Sequence, residues 1–194
     1  MMIEHCAVCP RQCGARRDDA ENVGGFCQMP AAPRLARAAL HFGEEPCISG
    51  TRGSGTVFFS GCVLACAFCQ NAEISRGGCG ETVTPSRLAD IFRELEAAGA
   101  HNINLVSPTP FVPSIIAALS LYKPKIPIVY NSGGYERVET LKRLEGLVDI
   151  YLPDLKYTDN ALSAALSGAA DYFDYAAPAF DEMVRQTGKA IFDK

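Results

Sequence analysis

The sequence predicts an α/β fold in which short parallel strands alternate with helices as part of a barrel, preceded by a small cysteine-rich N-terminal module. Three observations carry this expectation. From residue 56 onward, β-prone apolar runs alternate with amphipathic helical runs, the pattern of βαβ units whose right-handed crossovers build a parallel sheet. Capping and turn residues punctuate those runs at short intervals. Ahead of them, Cys6, Cys9, Cys13 and Cys27 fall among prolines and glycines in a stretch with few large apolar side chains, where a metal cross-link would supply what a small core does not. The expected division is a module over 1–50 and an α/β core over 51–194.

Thr56-Val57-Phe58-Phe59 is β-prone and stops at Ser60-Gly61, so the first core strand ends there. Thr84-Pro85 opens the next helix with a capping residue and a proline at the first helical position, and Leu88, Ile91, Phe92 and Leu95 then line one face. Gly99 ends that helix. Residues 102–106 read as a strand in which Ile103 and Leu105 alternate with Asn102 and Asn104, broken at Pro108 and followed by a helix over 113–121. A strand over 126–130, a helix over 135–147 with Val138, Leu141 and Leu144 inward, and a strand over 148–152 continue the series, and 161–186 reads as helical. Parallel strands of this kind bind ligands at their carboxyl ends.

With 48% hydrophobic and 21% charged residues in 194, the chain has material for one domain and a small appendage. A net charge of −4 gives no general attraction to phosphate backbones, so nucleic acid is not an expected partner, and Arg34 and Arg37 read as a solvated face. Met1-Met2-Ile3-Glu4-His5-Cys6 lacks the basic start and apolar core of a secretory signal, and no run is long enough to span a bilayer. The expected location is the cytoplasm, with no membrane partner. In that reducing compartment nine cysteines are expected as thiols or metal ligands rather than disulfides.

The most informative run is Gly61-Cys62-Val63-Leu64-Ala65-Cys66-Ala67-Phe68-Cys69-Gln70-Asn71. It places three soft donors in one short turn after a strand. Four cysteines close a cubane iron-sulfur cluster, so three leave one iron open to a small molecule. Two other readings stand beside it: small apolar residues at i, i+4 and i+7 of a helix face, and zinc completed by water. Cys6, Cys9, Cys13 and Cys27 offer a closed four-donor set for zinc or an auxiliary cluster, with a structural or electron-relay role, or else they are ordinary buried thiols. Cys47 and Cys79 are lone cysteines for which burial is expected, and His5, His41 and His101 read as structural.

Three further segments sit at expected strand ends. Ser107-Pro108-Thr109-Pro110 supplies two hydroxyls and backbone carbonyls freed by the prolines. Asn131-Ser132-Gly133-Gly134 allows a ligand to approach the main chain closely. Asp154 and Lys156 put two ionisable groups at an otherwise apolar strand end, where an exposed ion pair would contribute little stability by itself.

Through the three-cysteine loop, with Phe68 before its last cysteine, the chain resembles the radical S-adenosylmethionine (SAM) superfamily. Through Cys9-Pro10-Arg11, Glu44-Glu45-Pro46-Cys47, Gly53-Ser54-Gly55-Thr56, Cys69-Gln70-Asn71, Tyr130-Asn131-Ser132-Gly133-Gly134-Tyr135 and Pro153-Asp154-Leu155-Lys156-Tyr157 it resembles the pyruvate formate-lyase activating enzymes. The resemblance implies a partial (β/α)6 radical SAM barrel that would continue beyond Lys194. It implies a 4Fe-4S cluster on Cys62, Cys66 and Cys69, and SAM beside Phe68, Ser107, Thr109, Asn131, Ser132, Gly133, Asp154 and Lys156. Where the family often carries Gly-Gly-Glu-Pro this chain has Ser107-Pro108-Thr109-Pro110, without the acid. The implied activity is reductive cleavage of SAM to a 5′-deoxyadenosyl radical that abstracts hydrogen, by analogy from a glycine of a glycyl-radical enzyme. The implied electron donor is a protein such as flavodoxin or ferredoxin. A non-catalytic iron-sulfur or zinc-binding interaction protein that keeps the cysteines is the alternative.

Overall fold

The computed structural model describes residues 2–18 and 24–188; the outer limits of the two expected segments, at 1 and 194, lie outside them. Six strands form one sheet in the order β3-β1-β2-β4-β5-β6. They are β1 (Arg34–His41), β2 (Ser54–Phe59), β3 (Glu81–Thr82), β4 (Ile103–Val106), β5 (Ile128–Ser132) and β6 (Ile150–Pro153). Strands β2, β4, β5 and β6 are mutually parallel, while β1 runs antiparallel to both β2 and β3. The fold is therefore α/β with a mostly parallel sheet, consistent with part of a radical SAM barrel. Helices α1 (Pro46–Ser49), α2 (Ala72–Gly77), α3 (Pro85–Ala97), α4 (Val112–Leu121), α5 (Val138–Lys142), α6 (Asn160–Ser167) and α7 (Tyr172–Thr187) complete it.

Register assigns each sheet face a task. Val57, Leu105 and Tyr130 lie side by side on one face, as do Ile103 and Ile128. All are fully buried against Leu88 and Phe92 of α3 and Ile115 of α4, each apolar side chain contributing roughly 1.5–3 kcal/mol by leaving water. The opposite face carries Thr56, Asn104 and Val129 in one row, and Phe58, Val106, Asn131 and Leu152 in the row nearer the strands' carboxyl ends.

Thr84 caps α3 as its sequence predicts, its Oγ1 accepting the Arg87 N–H at 3.1 Å, and Leu88, Ile91, Phe92 and Leu95 form the buried face. Other elements differ from the sequence reading. Residues 34–41, read only as carrying solvated arginines, form β1, and Arg34 donates to Thr82 Oγ1 and the Gly78 carbonyl. Asn102 and Asn104, which alternate with the apolar positions, are buried as well, and Asn102 accepts the Ser54 hydroxyl at 2.6 Å and donates to the Ile48 carbonyl at 2.7 Å. The helix expected over 135–147 shrinks to Val138–Lys142, since Gly134 turns at φ +74° and Tyr135 and Glu136 are drawn into the interior. The run over 161–186 divides at Gly168, whose left-handed backbone ends α6.

The N-terminal segment is tied onto the sheet's helical layer. Thr140 Oγ1 donates to the Val8 carbonyl at 2.6 Å and Arg137 Nη1 to the Ala7 carbonyl at 2.6 Å. The buried Arg17 side chain donates to the carbonyls of Met29 and Pro30 and to Cys6 Sγ. Among the described residues, no helix is long and apolar enough to cross a membrane.

Candidate functional site

The cysteine loop leaves β2 at Gly61, whose φ of +79° and missing Cβ let Met29 approach. No helix runs through 62–71, and α2 begins only at Ala72. The helix-face reading of the three cysteines is thereby excluded. The Ala65 and Ala67 N–H groups donate to the Ser167 and Leu166 carbonyls of α6 at 3.0 and 2.8 Å. From the other side, Arg11 Nε donates to the Val63 carbonyl at 2.9 Å while its guanidinium lies 3.7 Å from the Phe26 ring centroid.

Each sulfur in the loop has a polar neighbour. Cys62 Sγ accepts the Leu64 N–H at 3.4 Å, Cys66 Sγ accepts the Ser167 hydroxyl at 2.9 Å, and Cys69 Sγ lies 3.4 Å from Ser75 Oγ. Burial pushes the Cys62 thiol up to about 11, against the Leu64 N–H. Without a bound cation it stays protonated at neutral pH, so metal loading releases a proton.

Among the described residues, no group of three or more His, Cys, Asp or Glu converges to hold a metal ion. A tetrahedral zinc at Zn–S distances near 2.3 Å would draw its sulfurs to about 3.8 Å from one another, whereas a cubane distributes its thiolates over separate irons. Three thiols lining one cleft match the donor set of a cubane with one open iron. Cys6, Cys9, Cys13 and Cys27 likewise form no such group. Burial pushes the Cys9 thiol up to about 12, with Arg11 N–H opposing and Cys27 and Cys6 adding to the rise, and burial also raises Cys27.

Beside the loop, at the carboxyl ends of β4, β5 and β6, lies a cleft of about 410 Å³. Cys62, Cys66 and Cys69 form one wall, and Phe68, Ser107, Asn131, Ser132, Gly133, Asp154 and Lys156 also line it. Ser107 takes a left-handed φ of +57°, held by its N–H to the Asn131 carbonyl at 2.9 Å. Asn131 Nδ2 donates to Glu44 Oε2 at 3.4 Å. A Cβ on Gly133 would come within 2.9 Å of Leu64 Cδ1. Lys156 Nζ pairs with Asp154 Oδ2 at 2.6 Å and lies 6.0 Å from the Phe68 ring centroid. Burial works against the Lys156 charge, but the Asp154 hydrogen bond and charge outweigh it and raise its pKa.

Thr109 stands apart from its expected companions. Its side chain is buried, and its hydroxyl donates to Glu136 Oε1 at 2.6 Å instead of facing the cleft. Glu136 itself has no solvent exposure, and its Oε2 accepts the Tyr130 hydroxyl at 3.3 Å. Burial pushes the Glu136 carboxyl up to about 7, with the Thr109, Ser132 and Tyr130 hydroxyls opposing. The sequence reading singled out neither Glu136 nor Tyr172, whose hydroxyl lies 2.8 Å from the carbonyls of both Gly133 and Asp154 and accepts the Lys156 N–H at 3.0 Å. Their only sequence signal is a tyrosine-acid pair after two glycines and a tyrosine opening the last helix, which does not separate them from ordinary core residues.

Fold and site together define an α/β protein with three thiols facing an open polar cleft at its strand ends. The sequence model of the radical SAM superfamily matches residues 56–185, and the chain belongs to that superfamily. It is also similar to the uncharacterized protein MJ0674 of Methanocaldococcus jannaschii, 34% identical over 182 residues, covering 89% of this chain and 52% of the relative. The chain thus spans about half the length of the curated relative it matches.

Membership implies a 4Fe-4S cluster and SAM. The residues present fit both. Three thiols share a wall of the cleft, Gly133 leaves the floor open where a side chain would intrude, and the volume falls in the range of small-molecule sites. One row below Val106 and Asn131, the fully buried Asn104 amide has neither its nitrogen nor its oxygen hydrogen-bonded, the kind of unmatched polar group that accompanies bound ligands or water.

Proposed function

We propose that this protein is a radical SAM enzyme in which Cys62, Cys66 and Cys69 hold the cluster and the adjoining cleft takes SAM. The observation that carries the reading is the meeting of three thiols and the polar ends of three parallel strands on one cleft. When bound, cluster and cofactor supply one-electron cleavage of the sulfonium, giving methionine and a 5′-deoxyadenosyl radical that abstracts hydrogen. The chain's own residues bind, orient and exclude. Ser107, Asn131 and Ser132 offer polar contacts, Lys156 offers a cation steadied by Asp154, and Phe68 offers an exposed aromatic face. Leu64 and Val106 keep part of the wall apolar, which limits water beside a reactive centre. Tyr172 braces the Gly133 and Asp154 carbonyls so that both loops hold their positions.

The substrate class we favour is a glycyl-radical enzyme activated by abstraction from a glycine, with reduction by a flavodoxin- or ferredoxin-like donor in the cytoplasm. Its support is the set of motifs shared with pyruvate formate-lyase activating enzymes, including Cys69-Gln70-Asn71 and Tyr130-Asn131-Ser132-Gly133-Gly134-Tyr135. Anaerobic reconstitution followed by electron paramagnetic resonance with and without SAM tests the cofactor assignment. A changed spectrum of the reduced cluster and release of methionine are expected. An unchanged spectrum without methionine would favour a non-catalytic metal-binding protein.

A further inference from the structure

We propose that Glu136 is a positioning residue of the cleft, tying the turn after β4 to the loop after β5 so that Ser107 and Ser132 stand correctly toward the cofactor. The inference rests on the reading of the cleft as the SAM site.

The geometry begins with strain. Ser107 holds a left-handed backbone that side chains other than glycine adopt at a cost, and such a conformation persists only where its surroundings over-determine it. Two constraints do so: the Ser107 N–H bond to the Asn131 carbonyl of β5, and, two residues on, the Thr109 hydroxyl bond to Glu136 Oε1. At 2.6 Å the latter has the length of a hydroxyl donating to a carboxylate.

From the other side, the Glu136 N–H donates to the Gly134 carbonyl at 3.0 Å, and the Gly134 N–H donates to Ser132 Oγ at 3.3 Å. Tyr130, within β5, completes the grip on Oε2. One side chain thus spans both cofactor loops. A carboxyl with no access to water is a costly way to fill a core, and an apolar side chain of similar size would serve packing better. What the carboxyl adds is direction, since its two oxygens accept from two different elements at once.

The test is a double-mutant cycle on the reconstituted full chain, with SAM affinity read by anaerobic calorimetry for wild type, Thr109→Val, Glu136→Gln and the double variant. Measured at pH 8, where the carboxyl is ionised, each single change is expected to weaken binding about tenfold, the order of one lost charge-assisted hydrogen bond. The double variant is expected to lose no more than either single one, because both remove the same link. The reduced cluster's resonance spectrum without SAM should stay unchanged throughout, a readout that general loosening of the site would not preserve. Normal affinity in both single variants, or losses that multiply to about a hundredfold in the double, overturns the proposal. Should Glu136→Gln fail to fold, normal affinity of Thr109→Val alone overturns it. Absence of SAM binding by the wild type would instead sink the cofactor reading, and this inference with it.

Discussion

Replacing Glu136 by glutamine should change how stability depends on pH, by an amount the structure sets. Burial raises this carboxyl from its ordinary 4.5 to about 7. At about 1.36 kcal/mol per pKa unit, the shift corresponds to about 3 kcal/mol. Between those two values the folded chain keeps a proton that the unfolded chain has released, so stability falls as pH rises through the window and levels off above it. Glutamine has no proton to lose. Urea unfolding of the cluster-free, reduced protein at a series of pH values gives the measurement, with all other titrating groups cancelling between the two chains. The stability of Glu136→Gln minus that of wild type should grow by about 3 kcal/mol from pH 4 to pH 8. Parallel curves would refute the reasoning, because they would mean that the carboxyl titrates as if it were in water.

Four other outcomes follow from the structure. Ser167→Ala removes the 2.9 Å bond to Cys66 Sγ, and a loss of about 1 kcal/mol of stabilisation of the reduced cluster would lower its potential by roughly 40 mV; an unaltered redox titration would show that this hydroxyl does not tune it. Cys66→Ala should abolish iron and sulfide binding at the loop, and undiminished colour with full iron content would assign the cluster elsewhere. Gly134→Ala forces a Cβ to within 2.6 Å of the Asp154 carbonyl at a φ of +74°, so urea unfolding should show a loss of about 2 kcal/mol or more. Gly77→Ala, with nothing within 4 Å of its Cβ, should stay within about 0.5 kcal/mol of wild type.

What could be read from the sequence was the part set by local chemistry. Thr84-Pro85 caps a helix by its own hydrogen bond and backbone angle, and the spacing of Cys62, Cys66 and Cys69 places three donors in one turn whatever surrounds them. What resisted reading was set by partners distant in the chain. Arg34–His41 is rich in alanine, leucine and arginine, all good helix formers, yet becomes a strand because β2 and β3 pair with it on both sides. Thr109 was assigned to the cofactor for its hydroxyl, but which way that hydroxyl faces depends on Glu136, 27 residues further along. The helix expected over 135–147 had the right inward residues in Leu141 and Leu144, but its first turn was lost to the burial of Tyr135 and Glu136. Periodicity registers which residues are apolar, and it is blind to an acid whose partners are hydroxyls.

The ties between residues 7–8 and residues 137–140 make the cysteine turn depend on segments about 130 residues apart in the chain. Ala7, Val8 and Arg11 are seated by Arg137, Thr140 and the Gly168 carbonyl, so neither partner segment can hold them without the other. Arg11 in turn clamps the Val63 carbonyl inside the cysteine turn. Local opening of residues 7–11 therefore loosens the cysteine turn as well, so hydrogen exchange at Val63 to Ala65 should rise together with that at Ala7 and Val8.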